Sequence, residues 1–294
     1  MNFTFLVFLL INGVTQGMLL FIIASGLSLV FGVLRVINFA HGSLYMIGAF
    51  LACSVQSIIA GSSFAHFLLL MLLVPPAVAM LGFIMETTLF RHIYHREHLM
   101  QLLLTYALVL ILDDLVRVVW GGDIRSVARP ELLAGSIQMF GLFLPSYNLF
   151  ILILGPIIGL GLWLLLHRTR SGNLIRAAVS HPEMLGALGV NVSRVMTATF
   201  MLGCWLAGLG GVLMSALANI DLGIAMEKII ECFAVVVIGG LGSVGGAMLG
   251  SIIIGVGSSL IQIPLSRLAV VFPYIAMALV LIVRPWGLFG KPER

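Results

Sequence analysis

Charge is what this sequence has least of. Only 9% of its 294 residues are Asp, Glu, Lys or Arg, and 61% are hydrophobic, whereas a soluble domain carries about 25% charged residues. So little charge cannot cover a water-facing surface, which makes the bilayer the solvent and excludes a separate soluble domain. Cysteine is scarce too: Cys53, Cys204 and Cys232 are the three present. They lie in or beside apolar runs without CxxC spacing, so neither a disulfide framework nor a metal centre is indicated. Catalytic motifs are missing: there is no HExxH, no GxSxG and no GxxxxGK[ST]. Covalent chemistry and ATP binding by this chain are therefore not expected. The alternating segments of about ten residues that build a membrane barrel are also absent, which leaves helices as the spanning structure. The net charge of +4 sits in loops, which fits membrane topology better than nucleic-acid binding.

What the sequence has is long apolar runs. A helix crosses the hydrocarbon core in about 20 residues, and runs at roughly 5–33, 67–89, 99–119, 147–167, 196–218 and 268–283 qualify. The first lacks a basic leading region and exceeds the 7–15 residues of a signal core, so it reads as a retained span. Two further segments are interrupted. One, about 43–60, follows the break Arg35-Val-Ile-Asn-Phe-Ala-His-Gly42; the other, about 229–260, is cut by Gly239-Gly-Leu-Gly-Ser-Val-Gly-Gly246. The expected fold is all-α: one transmembrane domain over 1–294, with about eight membrane segments, two of them broken or re-entrant.

Orientation follows from arginine and lysine in short loops. Arg91 and Arg96 lie in one loop, Arg168, Arg170, Arg176 and Arg194 in the loop 168–195, and Arg284, Lys291 and Arg294 in the C-terminal tail. All three are expected to be cytoplasmic. The loop 120–146 balances Asp123 and Glu131 against Arg125 and Arg129 and is expected outside. Parity then requires 229–260 to begin and end on the outer side. As a helix, 229–238 spans only about 15 Å, half the core thickness, so a hairpin dipping inward and turning at the glycines is expected. The front break works the same way and leaves the N-terminus outside.

Paired interrupted segments point to a transport site. Asn38, His41 and Gly42 in the first break, and Gly239, Gly240, Gly242, Gly245 and Gly246 in the second, are the candidate path residues. For Asn38 and His41 the other role is to satisfy loosened backbone at the turn; for the glycines it is close helix packing. Asp113 and Asp114 are spaced to pair with Arg117 along a helix, and Glu227, Lys228 and Glu231 read likewise, or as an outer docking patch. Glu86 is expected to be paired or to snorkel. In the loop 168–195, Ser180 is placed as an N-cap, with Pro182 and Glu183 in the first turn and Gly189 as the stop. Met184, Leu185 and Leu188 then form a small apolar face, which serves either as a lipid-lying connector or as a helix that docks in a partner's groove.

The run Gly26-Leu-Ser-Leu-Val-Phe-Gly-Val-Leu-Arg-Val-Ile-Asn-Phe-Ala-His-Gly-Ser-Leu-Tyr-Met-Ile-Gly-Ala-Phe50 resembles the N-terminal signature of permeases of branched-chain amino acid ABC importers. Arg176-Ala-Ala through Leu188-Gly-Val-Asn-Val-Ser-Arg194 resembles their coupling loop, and Gly239 to Gly250 and Arg284-Pro-Trp-Gly-Leu-Phe-Gly290 their C-terminal signatures. The resemblance covers essentially the whole chain, in order. It implies a bacterial inner-membrane heterodimer with a related permease subunit, two cytoplasmic ATPases that carry ATP and Mg, an external substrate-binding protein, and no cofactor on this chain. A glutamate followed six residues later by glycine marks the coupling helix in such permeases, and Glu183 and Gly189 keep that spacing; Met184 and Leu185 replace the usual alanines. Arg176, Glu183, Met184, Leu185, Leu188 and Gly189 are thus the expected ATPase-coupling residues. Ser43 stands where many relatives carry an acid, so no charged substrate role is assigned there. Relatives of this kind also serve urea, short amides and aromatic acids. A stand-alone secondary transporter would need an acidic midplane site, for which there is no strong candidate.

Overall fold

A computed structural model describes residues 3–290 except 60, 95, 140 and 264; Lys291 and Arg294 of the basic tail lie outside the described residues. The chain is a helical bundle. In order, its helices are α1 (Phe3–Leu34), α2 (Ala40–Ile59), α3 (Phe64–Thr88), α4 (His98–Trp120), α5 (Ser146–Arg168), α6 (Arg170–Ser180), α7 (Pro182–Ala187), α8 (Val192–Ser215), α9 (Ile224–Gly239), α10 (Val244–Ile261) and α11 (Ser266–Val283). Short 3-10 turns cover Phe90–His92 and Glu131–Leu133. Among the described residues seven helices are long and apolar enough to cross a membrane. α4, which carries Asp113, Asp114 and Arg117, and the shorter α9 complete the bundle.

Helix starts fall where short polar side chains can take a free backbone N–H. Ser63 accepts from the His66 N–H, Thr169 from Gly172, Asn191 from Arg194 and Ser243 from Gly246. α1 is the central pillar, and its second half, residues 17–34, is almost wholly enclosed by protein. α10 runs antiparallel along it through small residues. Gly13 abuts Gly255 and Val256, Gly17 abuts Ser251 and Ile252, and Gly32 abuts Gly242 in the turn that leads into α10. Close backbone approach of this kind maximises dispersion contact where lipid removes any hydrophobic drive between helices. α8 crosses α1 at Gly26 and Gly203, and crosses α2 at Gly48 and Gly208. α5 and α11 show most of their surface outward.

One end of the bundle carries α6 and α7. The opposite end is closed by the loop 121–145. Val127 donates its N–H to the Ser215 carbonyl, Arg129 Nε donates to the Ala216 carbonyl at 2.9 Å, and Arg125 and Ile220 pair through their backbones. This loop adds one short strand pair to the expected helical bundle. It holds an antiparallel hairpin of β1 (Ser136–Met139) and β2 (Leu142–Pro145), with Ser136 opposite Pro145.

The second broken segment also differs from expectation. α9 begins at Ile224 rather than 229, so it is about 24 Å long and nearly crosses the core instead of dipping halfway. The added turn carries Glu227 and Lys228, which are accommodated because Lys228 Nζ lies 3.2 Å from Glu227 and 2.8 Å from Glu231. Neither Asp113 nor Asp114 forms the expected ion pair with Arg117 among the described residues, and the hydrogen bond of Asp113 goes elsewhere. The Ser43 hydroxyl donates to Asp113 at 2.9 Å and ties α2 to α4. Glu86 is fully buried and paired: Thr197 Oγ1 donates at 2.7 Å, Tyr94 Oη at 3.1 Å and Arg91 at 3.4 Å.

Candidate translocation path and docking helix

The front break is a real interruption inside the bundle. α1 ends where Arg35 turns into the left-handed region, at φ 53°. The chain then passes through Val36 and Asn38, both buried, to the start of α2. His41 Nε2 lies 3.1 Å from the Ile23 carbonyl oxygen. Ile23 is about 16 Å back along α1 from its end, so α2 starts well inside the bundle and not at its surface. Gly42 fits there because Ala225 and Ile229 of α9 press against its backbone.

Asn38, His41 and Tyr45 are wholly buried; Asn38 lies in the break before α2, and His41 and Tyr45, four residues apart, share one face of the α2 start. Both polar atoms of the Asn38 amide, the His41 Nδ1 and the Tyr45 hydroxyl lack a hydrogen-bond partner among the described residues. Buried polar groups are nearly always paired, and unpaired ones raise the free energy. The expectation that Asn38 satisfies loosened backbone is therefore not met. His41 does meet a backbone carbonyl with one nitrogen and leaves the other free. Tyr45 joins these residues although it lies beyond the break motif itself. Its position four residues after His41 was the available signal.

The glycine segment divides into two kinds of site. Gly239 and Gly246 sit back to back where α9 and α10 meet, and Gly240 is covered by Phe289 and Gly290. Gly240 and Gly242 have φ of 98° and 81°, a backbone shape that L side chains resist. By contrast Gly242 and Gly245 line a cavity of about 670 Å³ together with Trp163 and Arg176. The C-terminal signature meets this turn in space. The Leu288 N–H donates to the Ile238 carbonyl at 2.9 Å and the Phe289 N–H to the Gly239 carbonyl at 3.0 Å. These bonds satisfy carbonyls that the end of a helix otherwise leaves free.

A second cavity, of about 450 Å³, lies toward the opposite end and runs between α1, α2 and α9 to α11. Gln16, Tyr45, Glu231, Lys228 and Gln262 line it together with Leu19, Leu20 and Ile254. Its polar lining comes from four separate stretches of chain, which is why no local motif announces it.

At the α6–α7 end a short helix stops at Gly189 as expected, but its start and its apolar face differ from expectation. Ser180 does not cap the small helix; it closes α6, and His181 makes the corner into α7. Pro182 occupies the first turn, and Gly189 ends the helix at φ 80°, its N–H donating to the Gly186 carbonyl at 2.9 Å. Leu185 is buried, whereas Met184 and Leu188 are 62% and 76% exposed. Glu183 is exposed beside them. Arg176 Nη2 donates to Asn173 Oδ1 at 2.6 Å within α6. No group of His, Cys, Asp and Glu suited to a metal ion occurs among the described residues.

Residues 9–281 match the model of a family described as "Branched-chain amino acid transport system / permease component". Among curated relatives, the high-affinity branched-chain amino acid transport system permease protein BraD of Pseudomonas aeruginosa is 30% identical over 295 residues, covering 97% of this chain and 95% of the relative. The corresponding protein LivH of Salmonella typhimurium is 30% identical over 306 residues, covering 100% and 99%. The probable branched-chain amino acid transport permease protein LivH of Methanocaldococcus jannaschii is 26% identical over 285 residues, covering 92% and 89%.

Proposed function

The chain belongs to the family of branched-chain amino acid transport system permease components, and from that premise we propose that it forms one half of the membrane pore of an ATP-driven importer for branched-chain amino acids. It works beside a related permease subunit, two cytoplasmic ATPases that hold ATP and Mg, and an external binding protein. The α6–α7 end faces the cytoplasm in this reading. Arg91, Arg96, Arg168, Arg170 and Arg194 gather there, while the loop at the other end balances Arg125 and Arg129 against Asp123 and Glu131. The N-terminus is then outside, the C-terminus inside, and the membrane is the bacterial inner membrane.

α7 is the docking helix. Met184 and Leu188 are apolar anchors for a groove on an ATPase, Glu183 favours the positive N-terminal end of the helix, and Leu185 fastens it to its own chain. α7 packs on α6, and α6 packs on α5, α8 and α1. Movement of the docked ATPases therefore reaches α1, whose Ile23 carbonyl meets His41. Alternating access follows from rocking of packed helices around that break, and this chain makes and breaks no covalent bond.

The observation that carries the proposal is the exposed Met184–Leu188 pair on a short helix outside the apolar bundle, in a chain that matches the family over nearly its full length. Cross-linking through a Leu188→Cys variant tests it. Capture of an ATP-binding subunit from the cytoplasmic side is expected. Labelling of that position by an impermeant reagent added outside intact cells contradicts it.

A further inference from the structure

The geometry points to the 450 Å³ cavity between α1, α2 and α9 to α11 as a binding site for an apolar α-amino acid in its zwitterionic form, held with its ammonium group toward Glu231 and Tyr45 and its carboxylate toward Lys228. This rests on the import reading above and adds where, and by which groups, the solute is held. A volume between about 300 and 1,000 Å³ is usual for small-molecule sites. The polar groups are not scattered. Glu227, Lys228 and Glu231 stand on one face of α9, and Lys228 bridges the two carboxylates at 3.2 and 2.8 Å. The triplet carries one uncompensated negative charge, which favours an ammonium group. Lys228 has three donors, two of which serve these contacts, so one is left for a carboxylate.

Tyr45 supplies an independent observation. Its ring is wholly buried, it lines the same cavity, and its hydroxyl has no partner among the described residues. A buried hydroxyl without a partner is costly to the fold, and a ligand's charged group offsets that cost. Leu19, Leu20, Ile23 and Ile254 line the rest of the wall and suit an aliphatic side chain. Urea and short amides bring no separated charges to this pattern. An aromatic acid anion meets net negative charge.

The test uses the assembled importer in proteoliposomes. Labelling of a Ser258→Cys variant by a maleimide reads occupancy of the cavity, because native Cys53, Cys204 and Cys232 are buried. Leucine is expected to slow labelling, 3-methylbutylamine to slow it less, and 4-methylpentanoate not at all. Tyr45→Phe removes a hydroxyl that bonds to nothing among the described residues, so a purely structural role predicts no loss. Ligand contact predicts that leucine protection and uptake fall about tenfold, the worth of one hydrogen bond to a charged group. Absence of leucine protection, or a Tyr45→Phe variant that transports like the parent, overturns the site and leaves the import reading standing. A parent importer that moves no branched-chain amino acid removes the import reading and this site with it.

Discussion

Two adjacent glycines in α10 should respond oppositely to the same substitution. Gly246 faces α9, and a methyl group there lands 2.6 Å from the Gly239 carbonyl carbon and 3.1 Å from its Cα. Ordinary carbon contacts are about 3.5–4.0 Å, so α9 and α10 must part by about 1 Å. The obstacle is backbone, which no rotamer change relieves. Overpacking of this kind costs about 1–3 kcal/mol, against a helix-propensity gain of up to about 1 kcal/mol for replacing glycine by alanine. Gly246→Ala should therefore destabilise by about 1–2 kcal/mol. Gly245 has open space around its Cβ position, so Gly245→Ala keeps the propensity gain and should be neutral or stabilising. Thermal loss of monodispersity in detergent, followed for both variants beside the parent, reads the difference. Equal melting of the two variants would falsify the close packing of the hairpin.

Three more outcomes follow from local contacts. Thr197→Val removes the shortest bond to the buried Glu86 carboxylate and should lower stability by about 1.5–3 kcal/mol; Thr197→Ser should restore it in the same melting assay. Gly189→Pro cannot adopt the φ of 80° and loses the N–H that closes α7, so ATP hydrolysis by the assembled complex should continue while uptake falls at least tenfold; a parallel fall in both activities contradicts a coupling role. At Arg35, φ is 53°; Arg35→Val should be about 1–2 kcal/mol less stable than Arg35→Gly, and unfolding midpoints in denaturant check this.

The spans were legible in the sequence because apolar length is a direct consequence of bilayer thickness. Both interruptions were legible too, through Asn38 and His41 in one and the glycines of 239–246 in the other. What escaped depends on contacts between distant residues. The start of α9 was placed late because Glu227 and Lys228 look unsuited to a membrane helix until Lys228 is seen between two carboxylates. Helical spacing offers Arg117 to either Asp113 or Asp114, whereas the partner of Asp113 is Ser43 on another helix. Ser180 has the chemistry of a cap, yet α6 runs through it and the corner falls at His181. The cavity that holds Tyr45, Gln16 and Gln262 gathers residues from α1, α2 and the α10–α11 connection, and no spacing along the chain encodes that meeting. The contact of the tail with the glycine turn joins two segments that read separately as family signatures.

The most direct measurement is uptake of radiolabelled leucine into proteoliposomes that contain this chain, its sister permease and the two ATPases, supplied with the binding protein and internal or external ATP. Import should require ATP on the side where α6 and α7 emerge, stop with vanadate, and persist when an uncoupler collapses the proton gradient. Leucine movement by the purified chain alone, or movement that the uncoupler abolishes while ATP is present, contradicts ATP-driven import.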